Sequence, residues 1–203
     1  ENGNCRIVSD YEAVYRTSEK YQTEAQLEQE LIKNLTEQGY EYLAIHTEKD
    51  LVDNLRVQLQ RLNNYTFTDS EWERFFNDVI ANPNEGIEAK TAKIQEDHIQ
   101  VLKRDTGETK NIYLIDKKNI HNNYLQVINQ YEEEQGNHDA RYDVSILVNG
   151  LPLVHIELKR RGVQLKEAFN QIDRYQRDSF WAGSGLYEYV QIFVISNGTN
   201  TKY

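Results

Sequence analysis

Two short apolar runs, Val144 to Val148 and Leu153 to Ile156, stand either side of Asn149-Gly150-Leu151-Pro152, and a helix-like pattern follows them as far as Arg177. β-Branched and apolar residues flanking a Gly/Pro break read as a β-hairpin. Because side chains alternate faces along a strand, Asp143, Ser145 and Leu147 are expected on one face, and His155, Glu157 and Lys159 on one face of the next strand. With Asn149-Gly150-Leu151 as a three-residue loop, Val148 lies opposite Pro152 and Asp143 opposite Glu157. Directly opposed residues have Cβ atoms about 4.5–5.5 Å apart. Two acids that close repel unless a cation or a proton sits between them. The end of this hairpin is therefore a candidate metal site.

The hairpin's surroundings shape the chemistry. The formal charge of -10 argues against a chain that holds nucleic acid unaided, since phosphate contacts need Lys and Arg. Yet Lys159, Arg160, Arg161, Lys166, Arg174 and Arg177 crowd around the hairpin exit, while acid concentrates before residue 100 and at Glu132-Glu133-Glu134. A basic strip on an acidic domain fits a catalytic module to which other parts of an assembly deliver a polyanion. The single cysteine, Cys5, excludes an internal disulfide framework and fits a reducing, cytoplasmic compartment. No apolar run approaches the ~18–20 residues of a membrane span, and no secretory signal pattern opens the chain. Sequons at Asn34, Asn64 and Asn197 then read as chance. A sequence that begins with Glu and contains no Met is expected to be a trimmed piece of something longer.

In chain order, residues 1–22 are expected to be mostly irregular. Thr23-Glu-Ala-Gln26 has the spacing of a capping box, and Leu27, Leu31 and Leu35 predict a helix to about Gln38, stopped by Gly39. A short strand is expected over Glu41 to Ile45, a second helix through Leu51, Leu55, Leu59 and Leu62, and a third from Asp69 to Ile80. Residues 87–110 are ambiguous, with a strand near Ile99 to Leu102. Strands follow at Asn111 to Asp116 and Leu125 to Tyr131, then the hairpin, a helix from about Leu165 to Arg177 packed on the sheet, and a buried strand from Tyr189 to Ser196. Helices first and strands later predict an α/β or α+β layered domain.

Glu-x-Lys alone means little, because chance supplies it about once in a chain this long. Here, however, Glu157 and Lys159 end an apolar run, where burial is costly unless they are paired or bound to metal. An ion-pair ladder on an edge hairpin is the plain alternative. The chemistry that fits the site is phosphodiester hydrolysis with Mg²⁺, which takes one or two carboxylates plus waters and substrate phosphate. Asp143 and Glu157 are the candidate ligands, with the Leu158 carbonyl a further one. Lys159 is placed to orient the attacking water or to neutralise the transition state. The five histidines show no paired metal spacing, and one cysteine builds no ordinary zinc site. His155 is either near the site or a core histidine.

Asp143 followed by Glu157-Leu158-Lys159 resembles the PD-(D/E)XK nuclease motif, and Gln171-Ile-Asp-Arg-Tyr175 is similar to the Gln-x-x-x-Tyr motif of its RecB-type branch. More specifically, YDVSILVNGLPLVHIELK, KEAFNQIDRY and QIFVISNGT resemble the N-terminal endonuclease domain of the R subunit of type I restriction-modification systems. Leu27-Glu-Gln-Glu-Leu-Ile, Gln38-Gly-Tyr40, Asp69-Ser-Glu-Trp72 and Asn111-Ile-Tyr-Leu-Ile-Asp-Lys117 agree, and Tyr142 stands where the motif's proline would be. The resemblance implies a restriction-endonuclease-like core with a mixed sheet flanked by helices and N-terminal helical additions. It implies one domain over 1–203, with an N-terminal region over about 20–110 and a catalytic core over about 111–203, followed by helicase-type ATPase domains. It implies a Mg²⁺-dependent endonuclease acting on double-stranded DNA with methyltransferase (M) and specificity (S) subunits. ATP would be used by the downstream motor, for no phosphate-binding Gly-x-x-x-x-Gly-Lys-Ser/Thr loop occurs here. Gln171 and Tyr175 inherit the motif's roles and share a helix face at i, i+4; Tyr175 as plain core is the alternative. An acid from the first helix often completes such sites, which singles out Glu28, otherwise a solvated surface residue. A rival from another class is a catalytically silent scaffold with the same fold.

Overall fold

The computed structural model describes residues 22–133, 140–162 and 165–203. The expectation of irregular structure for residues 1–21 lies outside them. Helix α1 (Glu24–Glu37) starts where expected: Thr23 Oγ1 accepts from the Gln26 amide at 3.2 Å, and Gln26 Oε1 accepts from the Thr23 amide at 3.0 Å. It ends at Gln38, with Gly39 at φ +96°. Its Leu27, Leu31 and Leu35 pack on Val127, Val144, Ile156 and Leu158, which pins α1 to one face of the sheet.

Strand β1 (Glu41–Tyr42) is shorter than its apolar pattern suggests. Leu43 still donates to Val127 O, but the chain then departs so that His46 O accepts from Glu132. Helix α2 (Glu48–Asn63) buries Leu51, Leu55 and Leu59 completely. The expected helix over Asp69 to Ile80 changes pitch: α3 (Asp69–Phe75) passes into a π-helical turn over Phe76–Ile80. The ambiguous stretch resolves into α4 (Ile87–Gln95) and β2 (Ile99–Lys103), which pairs with β3 (Thr109–Tyr113) in a separate hairpin. β3 stops before Asp116 because that carboxylate accepts the Lys118 and Asn119 amides and turns the chain.

The main sheet has the order β1-β4-β5-β6-β7-β8, with β4 Leu125–Glu133, β5 Ala140–Val148, β6 Leu151–Leu158, β7 Ile192–Ser196 and β8 Thr201–Lys202. It is mixed: β1/β4 and β6/β7 run parallel, and the other pairs antiparallel. The molecule is thus an α/β domain. Helix α5 (Leu165–Asp178) packs on the sheet through Ile172 and Ile195. The buried strand expected from Tyr189 begins only at Ile192, because Leu186–Tyr189 form a 3₁₀ turn that is itself buried. Short apolar runs do not distinguish the two.

The hairpin corrects the sequence reading and keeps its consequence. Val148 pairs with Leu151, so the turn is the two residues Asn149 (φ +51°) and Gly150 (φ +84°), not three. Both positive angles match the tight turn that suits the twist of a hairpin. A bulge beyond Leu147–Pro152 then shifts the register, giving Ile146–Val154 and Val144–Ile156. Continued by one residue, that register sets Asp143 across from Glu157. The expected face pattern also changes. Ile128 pairs with Ser145 and Tyr131 with Tyr142; Ile128, Tyr131 and Tyr142 belong to the large core, and Ser145 bonds Tyr187 within it. A three-residue step onto the same face breaks strict alternation. The slip falls at Gln130 (φ +54°) on β4 and around Asp143 on β5.

Candidate active site

β6 lies between β5 and β7, so its apolar run is buried and its last residues meet the end of the sheet. Glu157 is fully buried there. Its Oε1 accepts from Lys159 Nζ at 2.9 Å, while Oε2 has no hydrogen-bond partner and lies 3.5 Å from His155 Nε2. Lys159 is fixed by its own amide, which donates to Ser196 O of β7 at 2.9 Å. On the neighbouring strand, Asp143 Oδ2 accepts from the Leu158 amide at 2.8 Å. The hairpin thus gathers two carboxylates and an ammonium at one end of the sheet.

Electrostatics follow from that crowding. Burial, then the charge of Glu157, pushes the Asp143 carboxyl up to about 7, against the pull of the Leu158 amide and Lys159; Glu28 adds to the rise. Burial disfavours the Lys159 ammonium, yet the hydrogen bond and charge of Glu157, with Asp143, outweigh it and hold that pKa above the usual lysine value. A raised carboxyl beside a buried acid in a cleft is the electrostatic pattern of a site that takes up a proton or a cation.

Beside them opens a cleft of about 470 Å³, walled by Glu24 and Glu28 of α1, Gln130, Arg141, Asp143 and Leu158 of the sheet, Lys159 just past β6, and Gln171, Arg174 and Tyr175 of α5, with Glu157 buried behind the wall. Gln171 and Tyr175 share a helix face: Gln171 Nε2 donates to the Tyr175 hydroxyl, which donates at 2.9 Å to the carbonyl of Arg141, two residues before Asp143. The Tyr175 ring is also core, set edge-on to Tyr142 at 4.9 Å. Its pKa is raised by burial first and then by Glu157. His155 is likewise both things: its ring is fully buried against Tyr142 and Phe180, yet its edge reaches Glu157. Glu28 is far from idle, since Asn129 and Gln130 each donate a side-chain amide to it. Sequence reasoning missed Glu24, Arg141 and that amide pair. A polar Asn-Gln break inside the run from Leu125 to Tyr131 was the available signal. Among the described residues no group of three or more His, Cys, Asp or Glu is arranged to hold a metal. Any ion here would rest on two carboxylates, a main-chain carbonyl and water, as Mg²⁺ does. None of the helices among the described residues is long and apolar enough to cross a membrane.

The sequence pattern of the type I restriction enzyme R protein N terminus matches residues 21–203. The chain belongs to this family. Within it, the chain is 49% identical over 204 residues to the type I restriction enzyme EcoprrI endonuclease subunit of Escherichia coli, covering all of this chain and 65% of that protein. It is 40% identical over 188 residues to the SsaAORF53P endonuclease subunit of Staphylococcus saprophyticus, covering 90% of this chain and 19% of that one. A partial match, 35% over 107 residues, reaches the MjaIXP endonuclease subunit of Methanocaldococcus jannaschii. The chain spans less than two thirds of the length of these relatives.

Proposed function

We propose that this R-protein N-terminal domain is the cleavage module of a type I restriction complex, a Mg²⁺-dependent endonuclease of PD-(D/E)XK type that hydrolyses phosphodiester bonds of double-stranded DNA in defence against foreign DNA. The observation that carries the reading is the convergence of Asp143, Glu157 and Lys159 at one end of adjacent strands. The names of the relatives, endonuclease subunits of type I restriction enzymes, support it. The residues fit a divalent cation in donor type: a buried carboxylate oxygen of Glu157 has no hydrogen-bond partner, and burial and the Glu157 charge drive Asp143 beside it toward protonation despite Lys159. Asp143, Glu157 and the Leu158 carbonyl would hold Mg²⁺. When bound, Mg²⁺ supplies a lowered pKa for its water and charge neutralisation at the scissile phosphate.

The chain's own groups do the rest. Lys159 spends one donor on Glu157 and has others for the attacking water or a phosphate oxygen. Tyr175, held by Gln171, grips the Arg141 carbonyl and sets the strand that carries Asp143. Arg141 and Arg174, exposed on the cleft walls, face the DNA backbone. The net charge of -10 leaves this chain poorly suited to hold DNA unaided; by its family resemblance, M and S subunits and a downstream ATP-driven motor would bring DNA to the cleft. The setting is the cytoplasm, with residues 1–203 acting as one endonuclease domain.

The test is Lys159→Ala in the assembled complex. DNA cutting should fall by at least about 100-fold, the scale of losing one transition-state donor. The variant should fold and assemble but melt below wild type, because buried Glu157 loses its partner; retained cutting by the assembled variant would refute the role assigned to Lys159.

A further inference from the structure

Gln130 holds φ +54° in the middle of β4, a conformation that costs a non-glycine residue energy and that strands avoid. The registers on either side, Asn129–Val144 and Tyr131–Tyr142, put it across from Asp143. Adjacent strand residues point to opposite faces, yet Asn129 and Gln130 both reach one carboxylate. Asn129 Nδ2 donates to Glu28 Oε1 at 2.5 Å, and Gln130 Nε2 donates to Glu28 Oε2. The left-handed turn at Gln130 brings both amides to the same side. Tyr42 donates its hydroxyl to Asn129 Oδ1 at 2.9 Å, which leaves the NH₂ end of that amide to face Glu28.

A glutamate on the outside of a helix is satisfied by water and does not call for two ordered donors from a strand about a hundred residues away. Fixing it costs side-chain entropy as well as backbone strain. What the arrangement achieves is direction: the carboxylate is held on the wall of the cleft that Asp143 and Lys159 also line. Amides order a carboxylate without cancelling its charge, as a lysine or arginine would.

We propose that Asn129 and Gln130 are positioning residues, an amide clamp that holds Glu28 over the cleft as an acceptor for water on the cation carried by Asp143 and Glu157. This rests on the metal-site reading above. The clamp explains why the strand is broken at this residue and why the break faces the candidate ligand.

The experiment is calorimetric titration of Mn²⁺ into the full chain, with Asp143→Ala as the blank. Glycine adopts positive φ without strain, so Gln130→Gly permits the same backbone turn while removing the side chain that carries the amide. Its unfolding midpoint should equal or exceed that of the wild type, while its Mn²⁺ affinity falls about tenfold, the lower end of what groups behind a metal's ligands contribute. Glu28→Gln should lose a similar factor, and the double variant no more than either. Unchanged affinity in Gln130→Gly, or losses that multiply, would overturn the clamp while leaving the metal site standing. A midpoint well below wild type would show that Gln130 serves the fold, and overturn it too. A wild-type titration as flat as the blank would refute the metal reading and the clamp with it.

Discussion

Asp143 joins the chemistry of the site to the stability of the fold. Its carboxyl sits at about 7 in the folded chain, against about 4 when exposed. The folded state therefore binds the extra proton between those values. Its contribution to stability is fully present below about pH 4 and is lost as pH rises through about 7. Asp143→Asn, which cannot ionise, should melt several degrees above wild type at pH 8 without divalent cation. The difference should shrink toward pH 5 in paired thermal melts. On the proposed function, Mg²⁺ should close the gap at pH 8 by stabilising the wild type alone, since a ligand of the folded state adds to its stability. An equal gap at both pH values would contradict burial and the Glu157 charge as the origin of the raised carboxyl. Tyr175→Phe tests a different kind of support. It removes the hydroxyl that bonds the Arg141 carbonyl but keeps the ring in the core, so urea unfolding should show a loss of about 1 kcal/mol. On the proposed function, DNA cutting by the assembled complex should also fall, because the hydroxyl sets the strand that carries Asp143.

Among the elements, the turn of the β5–β6 hairpin is the most demanding. A Cβ at Gly150 would lie 2.6 Å from the Cα of Leu55, and its φ of +84° strains any other residue. Gly150→Ala should therefore cost at least about 3 kcal/mol by urea denaturation, combining backbone strain with overpacking. The hairpin also shows where sequence pattern suffices and where it fails. Alternation and the Asn-Gly break were enough to pair the strands and to bring Asp143 opposite Glu157. That result stood on a three-residue loop, whereas the molecule uses a two-residue turn and a bulge whose offsets cancel. Bulges and positive φ at Gln130 are set by tertiary fit, so residue periodicity does not reveal them. Likewise α4 was hidden, since Ile87–Gln95 has only Lys90 and Ile94 buried and thus a weak apolar stripe. The capping box of α1 was readable because its hydrogen bonds are local.

For the whole molecule, an ion pair with a buried lysine ties a helix to the 3₁₀ turn that leads into the sheet. Lys90 is 2% exposed and donates to Glu188 at 2.7 Å and to Gly185 O at 2.9 Å, fastening α4 to the turn that precedes β7. Lys90→Ala strands Glu188 and should cost about 3–5 kcal/mol; Lys90→Met with Glu188→Gln should recover much of that, because no unpaired charge remains. Urea unfolding of the three chains decides it. Nothing in the sequence marked Lys90 as buried, for a lysine on a polar helix reads as solvated. The anchoring of Lys159 has a consequence of its own. Its amide donates to Ser196 O in β7, a strand that follows β6 in the chain only after α5 and the 3₁₀ turn. A chain still being synthesised, and not yet past about residue 190, carries both acids and the lysine but lacks the strand that fixes the lysine's backbone. Undiminished Mn²⁺ affinity in a chain truncated before residue 190 would contradict this. On the proposed function, the lysine's chemistry waits on a strand made more than thirty residues after it, so synthesis order alone keeps a nascent site slack until β7 is laid down.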